Sequence, residues 1–362
     1  MTLALYNNFG GILQCFALQT VLRRLGHEVT VLKLSTKRIE WHVRLALFIK
    51  RLIKFLIKRE SIFYGSMTEE EILSMNTQKF VRKHIYMRIV KDWSQLKENE
   101  YDAFVVGSDQ VWRPMYFGNP ITNAYLGFAK DWISIKRVAY AASFGTDEWE
   151  YTPKETTDCA SLLRKFDAVS VRESSGVKLC KEHFGVNAVC LLDPTLLLTK
   201  NDYLSILEVA NSPVHNGGLF YYILDETNEK MQFVQKIANQ NNWKPYRANN
   251  CEAEKPVYFE RRIQKPVEPW IAGFRDAQFV VTDSFHGCVF SILFNKSFVV
   301  IGNQKRGMAR FYSLLSLFHL ENRLISLEQL DDYKDSQIDW GMVNRILEQE
   351  RVKAFDFLKS LA

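Results

Sequence analysis

The chain lacks the cysteine spacing of a metal site or a disulfide framework. Its six cysteines are scattered along 362 residues and form no Cys-x-x-Cys pair, the spacing that is typical of structural zinc. Scattered, reduced thiols are typical of a cytoplasmic protein. We therefore expect no zinc site, no disulfide framework and a cytoplasmic location.

Long apolar runs and strong charge are also missing. No stretch of about twenty apolar residues is present, so the sequence predicts no membrane span. The start, MTLALYNNFGG, lacks the basic segment and apolar core of a signal peptide. Basic residues exceed acidic ones only by 47 to 41, without a nucleic-acid-binding module, so we expect no nucleic-acid partner. The length and the 47% hydrophobic content suit a globular protein of two domains.

Glycine-rich nucleotide-binding motifs are absent as well. The turn NNFGG sets Gly10 and Gly11 side by side before a predicted helix, and neither GxGxxG nor GxxxxGK[ST] is formed there. Dinucleotide binding and P-loop chemistry therefore lose support.

The first two-fifths of the chain alternates between strands and helices. Residues Leu3–Tyr6 are predicted as a short strand, LQCFALQTVLRRLG as a helix ending at Gly26, and HEVTVLKL as the next strand. This βαβ order indicates a parallel sheet with helices on its faces. Four further strands follow, each with polar residues at its end: Tyr101–Val106, Arg137–Ala142, Asp167–Val171 and Ala188–Leu192.

A second α/β series begins at Leu219, after a break around residues 201–218 whose composition, NSPVHNGG, indicates a linker. It contains the strands LFYYIL, QFVV and SFVVI with helices between them. We predict an α/β fold of two Rossmann-like domains facing a cleft, residues 1–205 and 206–338. A C-terminal helix, residues 339–362, is predicted to pack back across both.

Basic and apolar residues are interleaved between Ile39 and Glu60. We favour a helix whose apolar side covers its own domain, as amphipathic helices of globular proteins usually do. The alternative is peripheral contact of residues 41–60 with a membrane surface or a partner.

The stretch TDSFHG joins a predicted strand to a predicted helix. A helix N-terminus carries unpaired N–H groups and partial positive charge, which favour a bound anion. We expect Asp283 or Ser284 to cap the helix, Gly287 to admit a ligand or a second backbone, and His286 to act as a proton donor beside the anion. A histidine that merely hydrogen-bonds a neighbour is the alternative.

Other polar residues follow strands. Arg172, in SVRESSG, suits a bidentate clamp on a carboxylate or phosphate, or a salt bridge with Glu173 or another acidic neighbour. Asp109 and Gln110, in GSDQVWRP, stand beside Trp112 as in a sugar-binding edge, although Asp109 could equally only stabilise the turn.

The loop GNQKRGMARF carries three cations before a predicted helix. It is either a solvated charge cluster or a set of cations beside an anion-binding cleft. The residues are Lys305, Arg306 and Arg310.

The ordered motifs NNFGG-ILQCFALQ, FVVGSDQVW, SVRES, LLDPTLLL and VVTDSFHGCVFSILFNKSFVVIG resemble those of polysaccharide pyruvyl transferases, from near residue 5 to about residue 325. The resemblance implies a GT-B-like fold. It also implies transfer of the enolpyruvyl group of phosphoenolpyruvate to a sugar of a surface or capsular glycan precursor, with formation of a pyruvate ketal. Phosphoenolpyruvate would be the donor substrate, with no nucleotide donor, metal or cofactor.

Carried over residue by residue, His286 is similar to the family's proton donor and Arg172 to its phosphoenolpyruvate clamp. Many members have an arginine where this chain has Ser284. If the donor is phosphoenolpyruvate, the missing positive charge would come from Arg310, Arg306 or Lys305, or the helix N-terminus alone would bind the anion. Otherwise the donor substrate is a different one. From the residues themselves, we expect Asn8 and the Gly10–Gly11 turn to line the acceptor side, and Asp109 to orient the acceptor or act as a base. Gln110 is expected to bind substrate as well.

Two other functions stay open: a GT-B glycosyltransferase that uses a nucleotide sugar, and a non-catalytic relative. If the acceptor is a lipid-linked saccharide, we expect the enzyme at the inner face of the membrane. The first strand is short for this family, so its pattern leaves room for a few residues before Met1.

Overall fold

The structure, a computed structural model, describes residues 1–34, 40–57, 62–118, 120–210, 217–250 and 259–360. The helices within these ranges are α1 (Phe9–Arg24), α2 (Trp41–Leu56), α3 (Glu69–Leu73), α4 (Met75–His84), α5 (Pro114–Phe117), α6 (Pro153–Leu163), α7 (Ser174–Leu179), α8 (Lys200–Val209), α9 (Asn228–Gln240), α10 (Val267–Asp276), α11 (Phe285–Leu293), α12 (Ala309–Leu317) and α13 (Trp340–Lys359). The strands are β1 (Val31–Leu34), β2 (Met87–Val90), β3 (Ala103–Gly107), β4 (Lys136–Ala142), β5 (Ala168–Val171), β6 (Val189–Cys190), β7 (Leu219–Tyr222), β8 (Pro245–Tyr246), β9 (Phe279–Thr282), β10 (Ser297–Ile301) and β11 (Leu324–Ile325).

The described strands pair in parallel and form two main sheets. One has the order β3-β4-β5-β6 and the other β11-β10-β9-β7-β8, while β1 and β2 form a separate pair. Central strands are buried along their whole length, as in β9, because helices cover both faces of a parallel sheet. The predicted α/β class with two parallel units is confirmed.

Short connections between strands and helices place polar residues at the sheet edges. Only Arg172 and Glu173 separate β5 from α7, and only Asp283 and Ser284 separate β9 from α11. Ligands of open α/β sheets bind beyond the carboxyl ends of the strands, and these two connections lie there.

The predicted strand Leu3–Tyr6 is wrong. The carbonyls of Leu5 and Tyr6 accept hydrogen bonds from side chains of α4 rather than from a neighbouring strand. Only Met1 contacts β3 through its backbone, by its amino group and its carbonyl. The segment HEVTVLKL does contain a strand, β1, but its parallel partner is β2, which lacks a clear alternating pattern.

The linker is shorter than predicted. Residues 200–209 form α8, because Thr199 and Asp202 build a capping box that starts a helix with buried Tyr203, Ile206 and Leu207. Residues 211–216 of NSPVHNGG lie outside the described residues.

Helix α2 does not cover the core, so the packing that we favoured for residues 39–60 is wrong. Of its residues only Arg51 is buried, whereas Trp41 is 77% and Leu56 68% exposed. The apolar side finds no groove on the rest of the described chain. Contact with a membrane or a partner is the alternative that this exposure permits.

The cysteines that the structure describes are free thiols: Cys15, Cys159, Cys180, Cys190 and Cys288. Cys251 lies outside the described residues. Across the described ranges no helix has the length and apolarity that a membrane crossing requires.

The C-terminal helix α13 contacts the first half of the chain. Arg351 donates from Nε to the Leu196 carbonyl and from an Nη to the Leu198 carbonyl, both at 2.6 Å. Phe357 packs against Tyr140 of β4. These contacts agree with our prediction that residues 339–362 pack back on the first half of the chain. The domain boundaries at 205 and 338 stay a prediction.

Replacing Arg351 by alanine should lower the free energy of unfolding by about 2–4 kcal/mol, because two buried carbonyls lose charged donors. Urea denaturation measures the change. Arg345→Ala, at an exposed position of the same helix, should stay within about 0.5 kcal/mol of the wild type. Equal effects of the two substitutions would show that α13 is not held by these bonds.

Candidate active site

A cavity of about 110 Å³ lies where the strand-end loops of the two main sheets meet. Its walls come from both halves of the chain, as the cleft prediction requires. Eight of the residues singled out in the sequence line it: Asn8, Asp109, Gln110, Asp283, Ser284, His286, Arg306 and Arg310.

The N-terminal ends of three helices supply residues to this cavity. Asn8 caps α1 by accepting a hydrogen bond from the Gly11 N–H. His286 lies in the first turn of α11, and Arg310 in the first turn of α12. Since a helix N-terminus carries partial positive charge, the cavity is suited to an anion.

Gly10 and His286 bring the first turns of α1 and α11 into direct contact. A β-carbon at Gly10 would lie 2.0 Å from His286 Nδ1, so no other residue fits without moving the ring. NNFGG is therefore not a turn that precedes the helix, because α1 starts at Phe9. Gly10 contacts the histidine instead of lining the cavity, and a β-carbon at Gly11 would lie 3.3 Å from Asp109 Oδ2.

Arg172 holds two carboxylates behind the cavity. Its guanidinium lies 2.8 Å from Asp193 Oδ2 and 3.5 Å from Asp109 Oδ1, and its side chain is 1% exposed. The salt-bridge interpretation of Arg172 is therefore correct, with these two partners rather than Glu173. Glu173 accepts hydrogen bonds from the N–H groups of Phe144 and Gly145. A direct clamp on the donor by Arg172 does not fit this burial, because the side chain is absent from the cavity wall.

Asp193 connects Arg172 with the histidine. Its Oδ2 lies 3.6 Å from His286 Nε2, beyond hydrogen-bond length, and that Nε2 is buried without a hydrogen-bond partner. Its Oδ1 accepts from the N–H and the hydroxyl of Thr195. Burial raises the pKa of Asp193, but His286, Arg172 and Thr195 outweigh burial and hold the pKa well below its usual range.

The trio of Arg172, Asp193 and Asp109 carries a formal charge of −1. Arg310, whose guanidinium lies over the same Phe285 ring as that of Arg172, brings the formal charge of the four groups to zero.

Neither predicted cap acts as one. Ser284 occupies the N-cap position of α11, but its side chain makes no capping hydrogen bond, and its own N–H donates to Thr282 Oγ1. The carboxylate of Asp283 does not bond the start of α11 either. It accepts from Lys230 Nζ at 2.7 Å and from the N–H groups of Leu224 and Asp225.

Of the two possibilities for Gly287, a ligand or a second backbone, the structure shows close packing of the protein itself: a β-carbon there would lie 2.2 Å from Thr282 Oγ1, so α11 packs tightly on β9. The prediction of a sugar-binding edge beside Trp112 is wrong. Trp112 is fully buried, stacks on Tyr125 and donates to the Ala124 carbonyl. Its indole belongs to the core, so it forms no sugar-binding edge, and Gln110 reaches the cavity without it.

The basic loop divides into a paired and an unpaired arginine. Arg306 forms a bidentate pair with Asp225 at 2.7 and 2.9 Å, which lowers the pKa of Asp225 to about 2. Arg310 is 5% exposed, and among the described residues no carboxylate lies within ion-pair distance of it. The side chain of Lys305 lies outside the described part of the chain.

Arg310 and Arg172 share one aromatic ring. Their guanidinium carbons lie 5.3 and 4.6 Å from the centroid of Phe285, a favourable cation–π distance. Burial and the charge of Arg172 lower the pKa of Arg310 to about 10. Arg310 thus stays protonated at neutral pH, while its Nε is buried without a hydrogen-bond partner.

Sequence reasoning missed Asp193, Lys230, Asp225 and Phe285 as members of the site. For Asp193 a signal existed, since DPTLLL directly follows the strand Ala188–Leu192 at a predicted polar tip. Phe285 lies inside the SFHG motif, between Ser284 and His286, whereas Asp225 and Lys230 come from a segment that gave no motif.

The cavity at the meeting point of the two sheets thus carries His286 and Arg310, with the carboxylate-bound Arg172 behind it. A sequence model of the polysaccharide pyruvyl transferase family matches residues 8–305, and the chain belongs to this family. It is accordingly a transferase of polysaccharide biosynthesis with a sugar acceptor.

The other comparisons add little. A crystal structure of a glycosyltransferase from Rickettsia africae ESF-5 aligns with 92% of this chain and 96% of its own, at 10% identity and a TM-score of 0.43. No curated protein matches the chain.

Asp193→Asn should lower the free energy of unfolding at pH 7 by about 3–5 kcal/mol, because it removes the main partner of a buried arginine. The carboxylate stabilises the fold above its unfolded pKa, near 4, and this contribution is lost as pH falls through the lower folded pKa. The difference between variant and wild type should therefore shrink below pH 4. Urea denaturation at pH 7 and pH 3 measures it.

Asp356→Asn is the matched control, since this aspartate is 66% exposed and 3.9 Å from Lys359. It should change the free energy of unfolding by less than about 1 kcal/mol. If Asp193→Asn is as mild as this control at pH 7, Arg172 does not depend on Asp193.

Proposed function

We propose that the protein transfers the enolpyruvyl group of phosphoenolpyruvate to a sugar of a surface or capsular glycan precursor, forming a pyruvate ketal and releasing phosphate. The observation that carries this proposal is the pairing, in one cavity, of His286 with the buried and unpaired Arg310. A histidine supplies the acid that an enol phosphate needs. Arg310 donates to the Arg306 carbonyl at 2.7 Å but has no carboxylate within ion-pair distance among the described residues, so its charge can bind an anionic donor.

Arg310 is the cation that replaces the family arginine missing at Ser284. A buried charge without a partner is costly, and a bound carboxylate or phosphate would relieve this cost. Arg306 is the second cation on the cavity wall, but it is held by Asp225. The starts of α1, α11 and α12 add partial positive charge for the other pole of the donor.

His286 protonates the methylene carbon of phosphoenolpyruvate, and C2 then acquires oxocarbenium character. A sugar hydroxyl adds to C2 and loses its proton. A second hydroxyl of the same sugar then displaces inorganic phosphate from C2 and closes the ketal, again with loss of a proton. Asp193 positions the ring of His286, and Asp109 stands on the cavity wall as the candidate base for the acceptor.

Arg172 acts through its carboxylates. It orients Asp193 beside the histidine and Asp109 beside the acceptor, and its charge helps to keep Asp193 ionised. Arg172 is thus a positioning residue, and the role of clamp passes to Arg310.

The cavity also favours a compact donor. Its volume of about 110 Å³ is below the roughly 300–1,000 Å³ of pockets that hold drug-sized ligands. This supports phosphoenolpyruvate over a nucleotide sugar, and no resident cofactor or metal takes part in the proposal.

Phosphate release from phosphoenolpyruvate with a panel of acceptor glycans tests the proposal. The wild type should turn over with at least one acceptor, and His286→Asn should lower kcat by about 10²–10⁴ because the general acid is lost. The variant should bind phosphoenolpyruvate nearly as well as the wild type, since asparagine keeps a polar group at the cavity.

A thermal-shift comparison of phosphoenolpyruvate with uridine and guanosine diphosphates separates the alternatives, because a ligand of the native state raises Tm. A shift with a diphosphate alone would replace the proposal by a nucleotide-sugar glycosyltransferase. Neither turnover nor a shift with phosphoenolpyruvate would indicate a non-catalytic relative.

Arg310→Met should weaken binding of phosphoenolpyruvate about 10- to 100-fold, through the loss of charged hydrogen bonds. Tm of the ligand-free protein should stay equal or rise, because an unpaired buried charge becomes an apolar side chain of similar length. Isothermal titration calorimetry and a thermal melt measure the two effects.

Arg323→Met is the opposite control. Arg323 is equally buried but donates to Asp335, Ser336 and the Phe298 carbonyl, so its replacement should lower Tm and leave donor affinity unchanged. Unaltered affinity in Arg310→Met would remove Arg310 from the donor site.

A further inference from the structure

Helix α2 presents a broad apolar side to solvent. Trp41, Leu45, Ile49, Leu52, Ile53 and Leu56 fall on one side of a helix with 3.6 residues per turn, and each is exposed by more than a third of its surface. Ile62 and Phe63, which follow the helix, are exposed too. Contiguous exposed apolar residues of this extent mark an interaction surface.

The opposite flank fastens the helix to the rest of the protein. Arg44 pairs with Glu71 of α3 at 2.9 Å, and Arg51 donates to the Met67 carbonyl. Phe48 meets Phe63 edge-on, with ring centroids 5.3 Å apart. The helix is therefore held in place along one side, and its apolar side points away from these contacts.

Charge is concentrated around the same helix. Residues 37–60 contain eight basic and two acidic residues, a net charge of +6, which equals the formal net charge of the whole chain. The remaining sequence is balanced. On α2 itself, the residues Trp41–Leu56, the charged residues are all basic.

We propose that α2 is an interfacial helix that docks the enzyme on an anionic lipid surface. Its apolar side chains would enter the boundary between headgroups and acyl chains, with Trp41 at that boundary, while the basic residues pair with lipid phosphates. This is a second binding site, separate from the cavity.

The size and charge of the helix favour this occupant over others. Sixteen residues span about 24 Å, less than the roughly 30 Å of the hydrocarbon core, so α2 lies in the surface plane. A second copy of the chain would bring two stretches of charge +6 together, and their repulsion opposes a dimer through α2. An anionic bilayer satisfies both the charge and the apolar side.

The docking helix is connected to the cavity by few contacts. Helix α3, which holds Arg44, runs into α4, and Thr77 and Gln78 of α4 donate to the carbonyls of Tyr6 and Leu5. Asn8 of the cavity wall follows directly. An acceptor carried by a membrane lipid would thus reach the cavity near its acceptor side. This consequence rests on the proposed function, whereas the docking of α2 does not.

Flotation of the full chain with phosphatidylcholine vesicles, with and without phosphatidylglycerol, tests the docking. The wild type should float with the anionic vesicles at low salt. With neutral vesicles, or at high salt, it should remain in the unbound fraction. The triple variant Ile49→Ser, Leu52→Ser, Leu56→Ser should bind at least about tenfold more weakly, and Lys50→Glu about three- to tenfold.

Controls outside the helix are Ile133→Ser and Val352→Ser, at positions 90% and 59% exposed, which should float like the wild type. The triple variant should retain phosphate release with a soluble acceptor, so that a docking failure and a catalytic failure are distinguishable. The proposal is overturned if the wild type stays with the soluble fraction, or if the triple variant floats equally well. If the wild type does not float but forms a dimer, and the triple variant is monomeric, α2 would instead be assigned to self-association.

Discussion

The shared ion pair of Arg172 with Asp193 and Asp109 is the interaction on which the site depends. The three residues follow β5, β6 and β3, so one guanidinium joins three strand ends of the four-stranded sheet. Through Asp193 the same group reaches His286, which belongs to α11 of the other sheet. Two carboxylates offset the cost of burying the Arg172 guanidinium, and this pairing holds the ends of three strands of the first sheet together.

The positions of the other parts of the site follow from this ion-pair arrangement. The first turns of α1 and α11 touch at Gly10 and His286, because glycine leaves room for the imidazole. Gly307, whose φ is +90°, lets the loop before α12 approach the backbone of Gly145 so closely that a β-carbon would overlap its carbonyl. Arg310 is thereby buried against Phe285, and no carboxylate of the described residues lies within ion-pair distance of it.

Helix α2 obeys a different rule. It adds nothing to the core and leaves its apolar side exposed, a costly arrangement for an isolated protein. Under the two proposals made above, the enzyme would separate two tasks that both involve negative charge. The small, buried site would hold a compact anion by directed groups, whereas the exposed helix would bind an extended anionic surface by hydrophobic area and non-directional charge.

Local pattern was sufficient for most elements. The helix ending at Gly26, the strands before GSDQ, SFG, RESS and DPT, and the helix after TDS all lie where periodicity and capping signals place them, since these signals act within a few residues. The same patterns failed for Leu3–Tyr6, whose carbonyls bond to side chains about seventy residues away. They also missed β2, which pairs only because β1 is next to it.

The sequence by itself was sufficient to predict the α/β class, the family and His286 as a candidate site residue, because each of these depends on short contiguous segments. Only the tertiary structure decided which cations are free. Arg172, Arg306 and Arg310 look alike in sequence, and their roles diverge because Asp193, Asp109 and Asp225 neutralise the first two from distant positions. Burial likewise decided the role of α2: its amphipathic pattern is compatible with a core or a membrane, and only the folded chain shows that no core receives it.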